Sequence, residues 1–173
     1  MNRSEDWGQL RIGEDNRELR LERSQDHVAV AAAFAAQARR GLDVVSRQLD
    51  RRVYDTSKFV ENARAFAVSG RNARMRLLIL DTDALIKKGH RLLDLARRLT
   101  SFMEIRRLED DFKDFNEAFL IADGVAYLYQ NLADRYDGAA NFHDPLRSRA
   151  LLRVFDDMWE HSPPASELRS LHI

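Results

Sequence analysis

Seven polar side chains between residues 116 and 143 have the chemistry needed to hold a ligand. An arginine can bind a phosphate group through two parallel N–H bonds, and asparagine, aspartate and tyrosine can orient it by hydrogen bonding. The set is Asn116, Asp123, Asn131, Arg135, Tyr136, Asn141 and His143. We predict that these residues form a polar pocket for a phosphate-bearing group, gripped by Arg135. The alternative is a polar loop that satisfies its own backbone.

The five histidines, at positions 27, 90, 143, 161 and 172, are scattered along the chain. None has the paired spacing that places two imidazoles on one helix face, so we predict no metal site and no cofactor. The acidic run around Asp110 and Asp111 lacks the spacing of a calcium loop and indicates a solvated loop. His143 or His90 could serve as a general base, with an ordinary capping or surface role as the alternative.

Composition narrows the class of protein. The 173 residues suit one domain, and the absence of cysteine favours a reducing cytoplasm. We find no apolar run long enough to cross a bilayer and no secretory signal, so we predict a cytoplasmic protein without membrane contact. The 28 basic and 28 acidic residues cancel, which argues against whole-surface attraction to nucleic acid. Arginines still cluster in sequence, at 39, 40, 47, 51 and 52, at 71, 74 and 76, and at 97, 98, 106 and 107.

Strand and helix patterns alternate over the first two thirds of the chain. Residues 1–16 are polar and aperiodic and predict a flexible arm, or a segment that packs only on a partner. The domain then spans 17–173, with its core over 25–161. Strands are predicted at 18–23, 42–46, 75–80 and 102–106. The helices between them end near Ala38, Gly70 and Leu99, the last being one continuous helix from Asp81 or Asp83.

The pattern changes at Asp123-Gly124, which lies between two apolar runs. Both positions of a tight hairpin turn favour a positive φ, so this dipeptide predicts a hairpin of strands 118–122 and 125–129. A polar loop over 131–141 leads to a last helix over about 144–160, with Pro145 in its first turn. Strand–helix alternation followed by a hairpin and a helix predicts an α/β fold, a mixed sheet flanked by helices.

Residues 116–124 resemble the His-x-Lys-x-x-x-x-Asp-Gly motif of the phospholipase D superfamily, and the order of elements over 25–161 resembles one half-domain of it. Asn116 stands at the histidine position, Ala118 at the lysine position and Asp123 at the aspartate position. In that family the histidine attacks phosphorus and the lysine stabilises the charge of the transition state. Asparagine is no comparable nucleophile and alanine has no charge, so the resemblance implies a phospholipase D-like domain without catalysis. Half-domain members pair, which implies a homodimer.

Residues 38–40, 89–98, 116–123 and 133–136 are also similar to a proteobacterial family whose members are sometimes joined to, or labelled as, GNAT acetyltransferases. This sequence lacks the glycine-bearing loop that would cradle a pyrophosphate, so we do not extend that activity to it. Our leading hypothesis is a non-catalytic binding or scaffold module for nucleic acid or a phosphorylated ligand. The alternatives are a hydrolase with relocated residues, such as His143 or His90, and a partner subunit of an acetyltransferase.

Overall fold

A computed structural model describes residues 6–169 and contains a seven-stranded sheet in the order β1-β7-β6-β5-β2-β3-β4. The strands are β1 Leu19–Leu21, β2 Gly41–Ser46, β3 Arg74–Ile79, β4 Met103–Arg107, β5 Ala118–Ala122, β6 Ala126–Gln130 and β7 Gly138–Asn141. β2, β3 and β4 run parallel, and the other neighbouring pairs are antiparallel. The predicted α/β class and mixed sheet are confirmed.

Helices cover both faces of the sheet. They are α1 Ser24–Gln37, α2 Arg51–Tyr54, α3 Ser57–Val68, α4 Thr82–Lys88, α5 Arg91–Arg98, α6 Pro145–His161 and α7 Ser166–Arg169. Phe34 of α1 and Phe59 of α3 belong to the core on one face, together with Leu77 of β3. On the other face, Phe155 of α6 belongs to a second core with Phe119 of β5. The central strands are therefore buried on both sides, which explains their continuous apolar runs.

The predicted hairpin forms at the predicted residues. Asp123 and Gly124 have φ values of 52° and 69°, and the Val125 amide donates to the Ala122 carbonyl at 3.1 Å. These values match a two-residue turn whose twist agrees with that of its strands. Local turn chemistry therefore sets the β5–β6 register, in which Ala122 pairs with Ala126.

Two predictions about the remaining elements are wrong. The predicted continuous helix is divided into α4 and α5, because Gly89 takes a φ of 69° and His90 caps a new helix by accepting from the Leu92 amide at 3.1 Å. The predicted loop over 131–141 contains strand β7. Its residues are small and have no strand-forming side chains, so its conformation comes from pairing with β6 and β1.

Within the segment expected as a flexible arm over 1–16, the residues that the structure describes lie against the domain. Trp7 is only 6% exposed. The Gln37 side chain of α1 accepts from the Ile12 amide at 2.9 Å and donates to the Leu10 carbonyl at 2.8 Å. A buried indole and a satisfied amide thus hold residues 6–16, whereas residues 1–5 lie outside the described part. Within residues 6–169, no helix has the length and apolar character to cross a membrane.

Candidate functional site

A cavity of about 540 Å³ opens at the carboxyl ends of β2 and β3, which we term the carboxyl edge. Its walls come from the segment after β2, from α4 and from the loop after β6. The lining residues are Ser46, Arg47, Gln48, Asp50, Arg51, Arg52, Ala84, Leu85, Lys88, Ala133 and Asp134. Four of these side chains are cationic and two are carboxylates. The volume is that of a small-ligand site, and the excess of positive charge favours an anion.

The segment after β2 holds its arginines on a constrained backbone. Leu49 has a φ of 56°, in the left-handed region that costs a leucine about 1 kcal/mol. Its side chain is fully buried, and its carbonyl accepts a hydrogen bond from His90 Nε2 at 3.2 Å. These two contacts compensate for the strain. Arg47 and Arg51, on either side of this turn, therefore start from a fixed main chain.

Asp50 joins that segment to the loop after β6. Its carboxylate accepts from the Arg52 amide at 3.0 Å, which caps α2, and from the Tyr136 hydroxyl at 2.8 Å. His27 Nε2 donates to the Tyr136 carbonyl at 2.7 Å. Burial, and then the hydrogen bond to Asp50, raise the pKa of Tyr136. Tyr136 is therefore a neutral hydrogen-bond donor that positions the cavity wall.

Asn116 lies at the rim of the cavity. Its side-chain oxygen accepts from Arg47 Nη1 at 3.3 Å, and its carbonyl accepts from the Ala133 amide at 2.7 Å. Ala118, two residues later, is buried at the start of β5. Asn116, at the position of the motif's histidine, thus lies beside Arg47 of the cavity. Its side chain can form hydrogen bonds but is no nucleophile.

Arg135 and Asn131 belong to the same loop and are exposed. The Arg135 carbonyl accepts from Gln130 Nε2 at 2.7 Å, so its main chain is fixed while its guanidinium faces solvent. Asn131 lines a different groove, on the α6 face beside Tyr129 and Arg147. The structure therefore brings Asn116, Arg135 and Tyr136 to the carboxyl edge and directs Asn131 away from the cavity.

The other three predicted site residues lie at the opposite edge of the sheet, which we term the amino edge. Strand β5, five residues long, separates the two edges by about 17 Å. Asp123 accepts from the amides of residues 39–41 at 2.8 to 3.1 Å. The Asn141 side chain accepts from the Arg17 and His143 amides. The seven predicted residues thus divide between two edges.

The cavity cations were missing from the predicted site. Arg47, Arg51 and Arg52 stood out in the sequence only as part of an arginine cluster, while Lys88 comes from α4 and gave no signal of its own. Arg51 pairs with Asp55 at 3.5 Å and donates to the Gly89 carbonyl. Within residues 6–169, Lys88 forms no ion pair, so its charge is available to a ligand.

The two most buried histidines, His27 and His90, bond main-chain groups. His90 Nδ1 accepts from the Leu92 amide, which fixes the proton on Nε2 and makes the ring neutral. Burial lowers the pKa of His90 and of His27. His143 lies at the amino edge, and its Nδ1 is buried without a hydrogen-bond partner among residues 6–169.

Because His27 and His90 are buried as neutral imidazoles, we expect the fold to be less stable in acid. An unfolded histidine has a pKa near 6.5, so below that pH the unfolded chain binds protons that the folded chain excludes. The stabilising contribution is complete above about pH 6.5 and is lost as the pH falls toward the lower folded pKa. We expect both histidines to lower the free energy of unfolding as the pH falls from about 7.5 to about 5.5.

Urea denaturation at about pH 7.5 and pH 5.5 measures this loss. H90N is the informative variant, because asparagine caps a helix well and does not titrate. Between the two pH values, H90N should lose less of its free energy of unfolding than the wild type does. The difference between the two losses is the contribution of His90. An equal loss in both proteins would show that His90 contributes nothing to the pH dependence.

Comparisons with known proteins agree with this geometry at the level of the fold. A family described as a domain of unknown function, DUF7931, matches residues 23–171. No curated protein matches the sequence. The chain is similar to TrmBL2, an archaeal chromatin protein, with a TM-score of 0.63 and 14% identity over 86% of this chain and 53% of that one. It thus spans about half of the TrmBL2 chain.

Two similar structures come from bacteria. Nuc from Salmonella typhimurium, a phospholipase D family member, has a TM-score of 0.55 and 12% identity over 78% of this chain and 88% of its own. NucT from Helicobacter pylori has a TM-score of 0.54 and 10% identity over 86% of this chain and 98% of its own. These values show a shared phospholipase D-like fold.

Proposed function

Since this chain belongs to the DUF7931 family and has a phospholipase D-like fold, we propose that it is a non-catalytic binding module for a phosphate-bearing ligand, nucleic acid included. The cavity at the carboxyl edge carries the proposal. Guanidinium and ammonium groups are the standard partners of phosphate, and four of them line it. Arg47 and Lys88 are both exposed and form no ion pair with residues 6–169, so their charges are open to a ligand.

The residues around this cavity support binding without turnover. Asn116 and Ala118 stand where the resembled motif has a nucleophile and a cation. The lining residues contain no histidine, and His90 is committed to two main-chain groups. A phosphate in this cavity would meet positive charge, and the hydroxyl of Ser46 and the carboxylates of Asp50 and Asp134 have no histidine among the lining residues to act as a base.

Nucleic acid is supported as a ligand by the nature of a similar protein. TrmBL2 is described as an archaeal chromatin protein with a novel mode of DNA binding. The chemical requirement that the two proteins could share is recognition of phosphate. A salt-dependent gel shift with DNA and RNA tests this part, and no shift at low salt would contradict it.

Calorimetric titration with inorganic phosphate and pyrophosphate tests the cavity itself. We expect pyrophosphate to bind, and the R47E/K88E variant to bind it at least tenfold more weakly, because two attractive charges become repulsive. The control is R64E/R149E, with the same change of net charge on exposed positions of α3 and α6. Equal binding by all three proteins would exclude the cavity as the phosphate site.

A hydrolase with relocated residues is the rival proposal. Its best candidate, His143, lies at the amino edge, and among residues 6–169 its buried Nδ1 has no hydrogen-bond partner, an orienting carboxylate included. We expect no turnover of bis(p-nitrophenyl) phosphate by the wild-type protein. Turnover that disappears in H143A would support the enzyme instead.

The assembly and setting of the module are further parts of the proposal. A homodimer follows from the resemblance to half-domains, and light scattering should give twice the chain mass of 20.1 kDa. The partner-subunit alternative predicts co-purification with an acetyltransferase. Cytoplasmic localisation remains a prediction from the absence of cysteine.

A further inference from the structure

Four exposed arginines crowd the amino edge, at the far end of the sheet from the cavity. Arg39 and Arg40 precede β2, and Arg71 and Arg74 precede or begin β3. The two strands are parallel neighbours, with Gly41 paired to Arg74 and the Arg74 amide donating to the Arg40 carbonyl at 3.0 Å. We term these four residues the arginine edge. Two arginine clusters that are remote in sequence thus become one surface.

The charges of the arginine edge are uncompensated. Across residues 6–169, no carboxylate lies within ion-pair distance of any of its four guanidinium groups, whereas Arg76 nearby pairs with Asp43 at 2.6 Å and Asp156 at 3.0 Å. The Asp123 carboxylate at this edge is engaged by three main-chain amides. A chain of zero net charge therefore concentrates positive charge on one side.

A cleft of about 450 Å³ continues from Arg74 onto the α6 face. Two more arginines line it, and both lie over the Trp159 ring, Arg76 at 5.4 Å and Arg106 at 4.2 Å from its centroid. Arg106 also bonds Glu104 and the Trp159 carbonyl, which holds it rigid. Nη2 of each guanidinium makes no hydrogen bond to residues 6–169, and both side chains are half-buried. Fixed donors thus extend the arginine edge inward.

We propose that the arginine edge and its cleft bind the phosphodiester backbone of a nucleic acid. Neighbouring strands lie about 4.8 Å apart, so their starts place four exposed arginines side by side, which suits a chain of phosphates better than a single anion. Contacts to phosphate read no bases, so binding is independent of sequence. This rests on the proposed function for its ligand class, but it assigns the nucleic-acid backbone to this surface and leaves the cavity to a small phosphate-bearing group.

An anionic membrane is the other polyanion that such a surface could attract. Membrane-binding surfaces combine basic residues with apolar side chains that insert between lipids. Among the described residues, the exposed large apolar side chains are Val68, Leu132, Leu146 and Val154. Of these four, only Val68 is near the arginine edge in sequence, three positions before Arg71. A single valine is not enough to form a surface that inserts into lipid. The arrangement therefore favours nucleic acid.

Fluorescence anisotropy with a labelled single-stranded DNA of about 20 nucleotides, without terminal phosphates, tests the proposal. We expect binding at about 50 mM salt that weakens about twentyfold at about 200 mM, the dependence for three phosphate contacts. R40E/R74E should bind at least tenfold more weakly. R47E/K88E, which makes the same change of net charge at the cavity, should lose less than threefold.

Three outcomes would overturn the proposal: no binding at low salt, equal binding by wild type and R40E/R74E, or a larger loss in R47E/K88E. Binding to phosphatidylserine vesicles without binding to the oligonucleotide would also overturn it. Pyrophosphate titration of R40E/R74E separates the two sites, because that variant should keep the affinity of the cavity. Its circular dichroism spectrum should match the wild type, since both altered side chains are exposed.

Discussion

Gly138→Ala is expected to remove about 3 kcal/mol or more of the free energy of unfolding. A Cβ at this position would lie 2.0 Å from the Tyr129 carbonyl oxygen and 3.1 Å from its carbon. Both are main-chain atoms of β6, so no side-chain rotation can relieve the overlap. Gly138 also pairs with Gln130 on one side and Leu21 on the other. The methyl group would therefore separate β7 from β6 and weaken the attachment of β1.

Urea denaturation measures the loss, and Gly70→Ala is the matched control. No atom lies within 4 Å of a Cβ built at Gly70, so that variant should stay within about 1 kcal/mol of the wild type. Hydrogen exchange should show faster exchange in β1 and β7 of the Gly138 variant than in β2 and β3. If the two alanine variants are equally stable, the close approach of β7 to β6 is incorrect.

The same strand shows where sequence-based prediction fails. The Asp123-Gly124 hairpin was predictable because two adjacent residues carry the whole signal, a pair of positive φ angles. Strand β7 has no such signal, since its Gly-Ala-Ala-Asn sequence lacks β-branched and aromatic side chains. The division between α4 and α5 could be predicted in part. Gly89 was visible, but the capping by His90 depends on Leu49, which is remote in sequence.

The candidate site was predictable only in part, for a related reason. The motif of residues 116–124 runs along β5 and has polar residues at both ends of this strand. The two ends of β5 lie at opposite edges of the sheet. Asn116 and Asp123 are thus separated by β5, although seven positions apart in sequence. The cavity combines Arg47 with Lys88, and the arginine edge combines Arg40 with Arg74. Such pairs arise from strand order, which single-sequence patterns do not determine.

Asp123→Ala is the second substitution with a large expected effect, about 3 kcal/mol of the free energy of unfolding. The Asp123 carboxylate accepts from the Arg39 amide with both oxygens, at 3.1 and 3.0 Å, and from the Arg40 and Gly41 amides at 2.8 and 3.0 Å. Alanine would leave three donors without this acceptor at the entry to β2. Hydrogen bonds to a charged group contribute about 1.5 to 3 kcal/mol each, and partial exposure places these at the lower end.

Asp123→Asn distinguishes a structural aspartate from a catalytic one. Asparagine tolerates the φ of 52° and keeps one acceptor oxygen, so it should lose about 1 kcal/mol, well short of alanine. Asp114→Ala is the control, because Asp114 is exposed and accepts no hydrogen bond from residues 6–169. If Asp123 had no structural role, both Asp123 variants would be as stable as Asp114→Ala. The graded loss would instead show that the Asp123 carboxylate holds the entry of β2 to the hairpin.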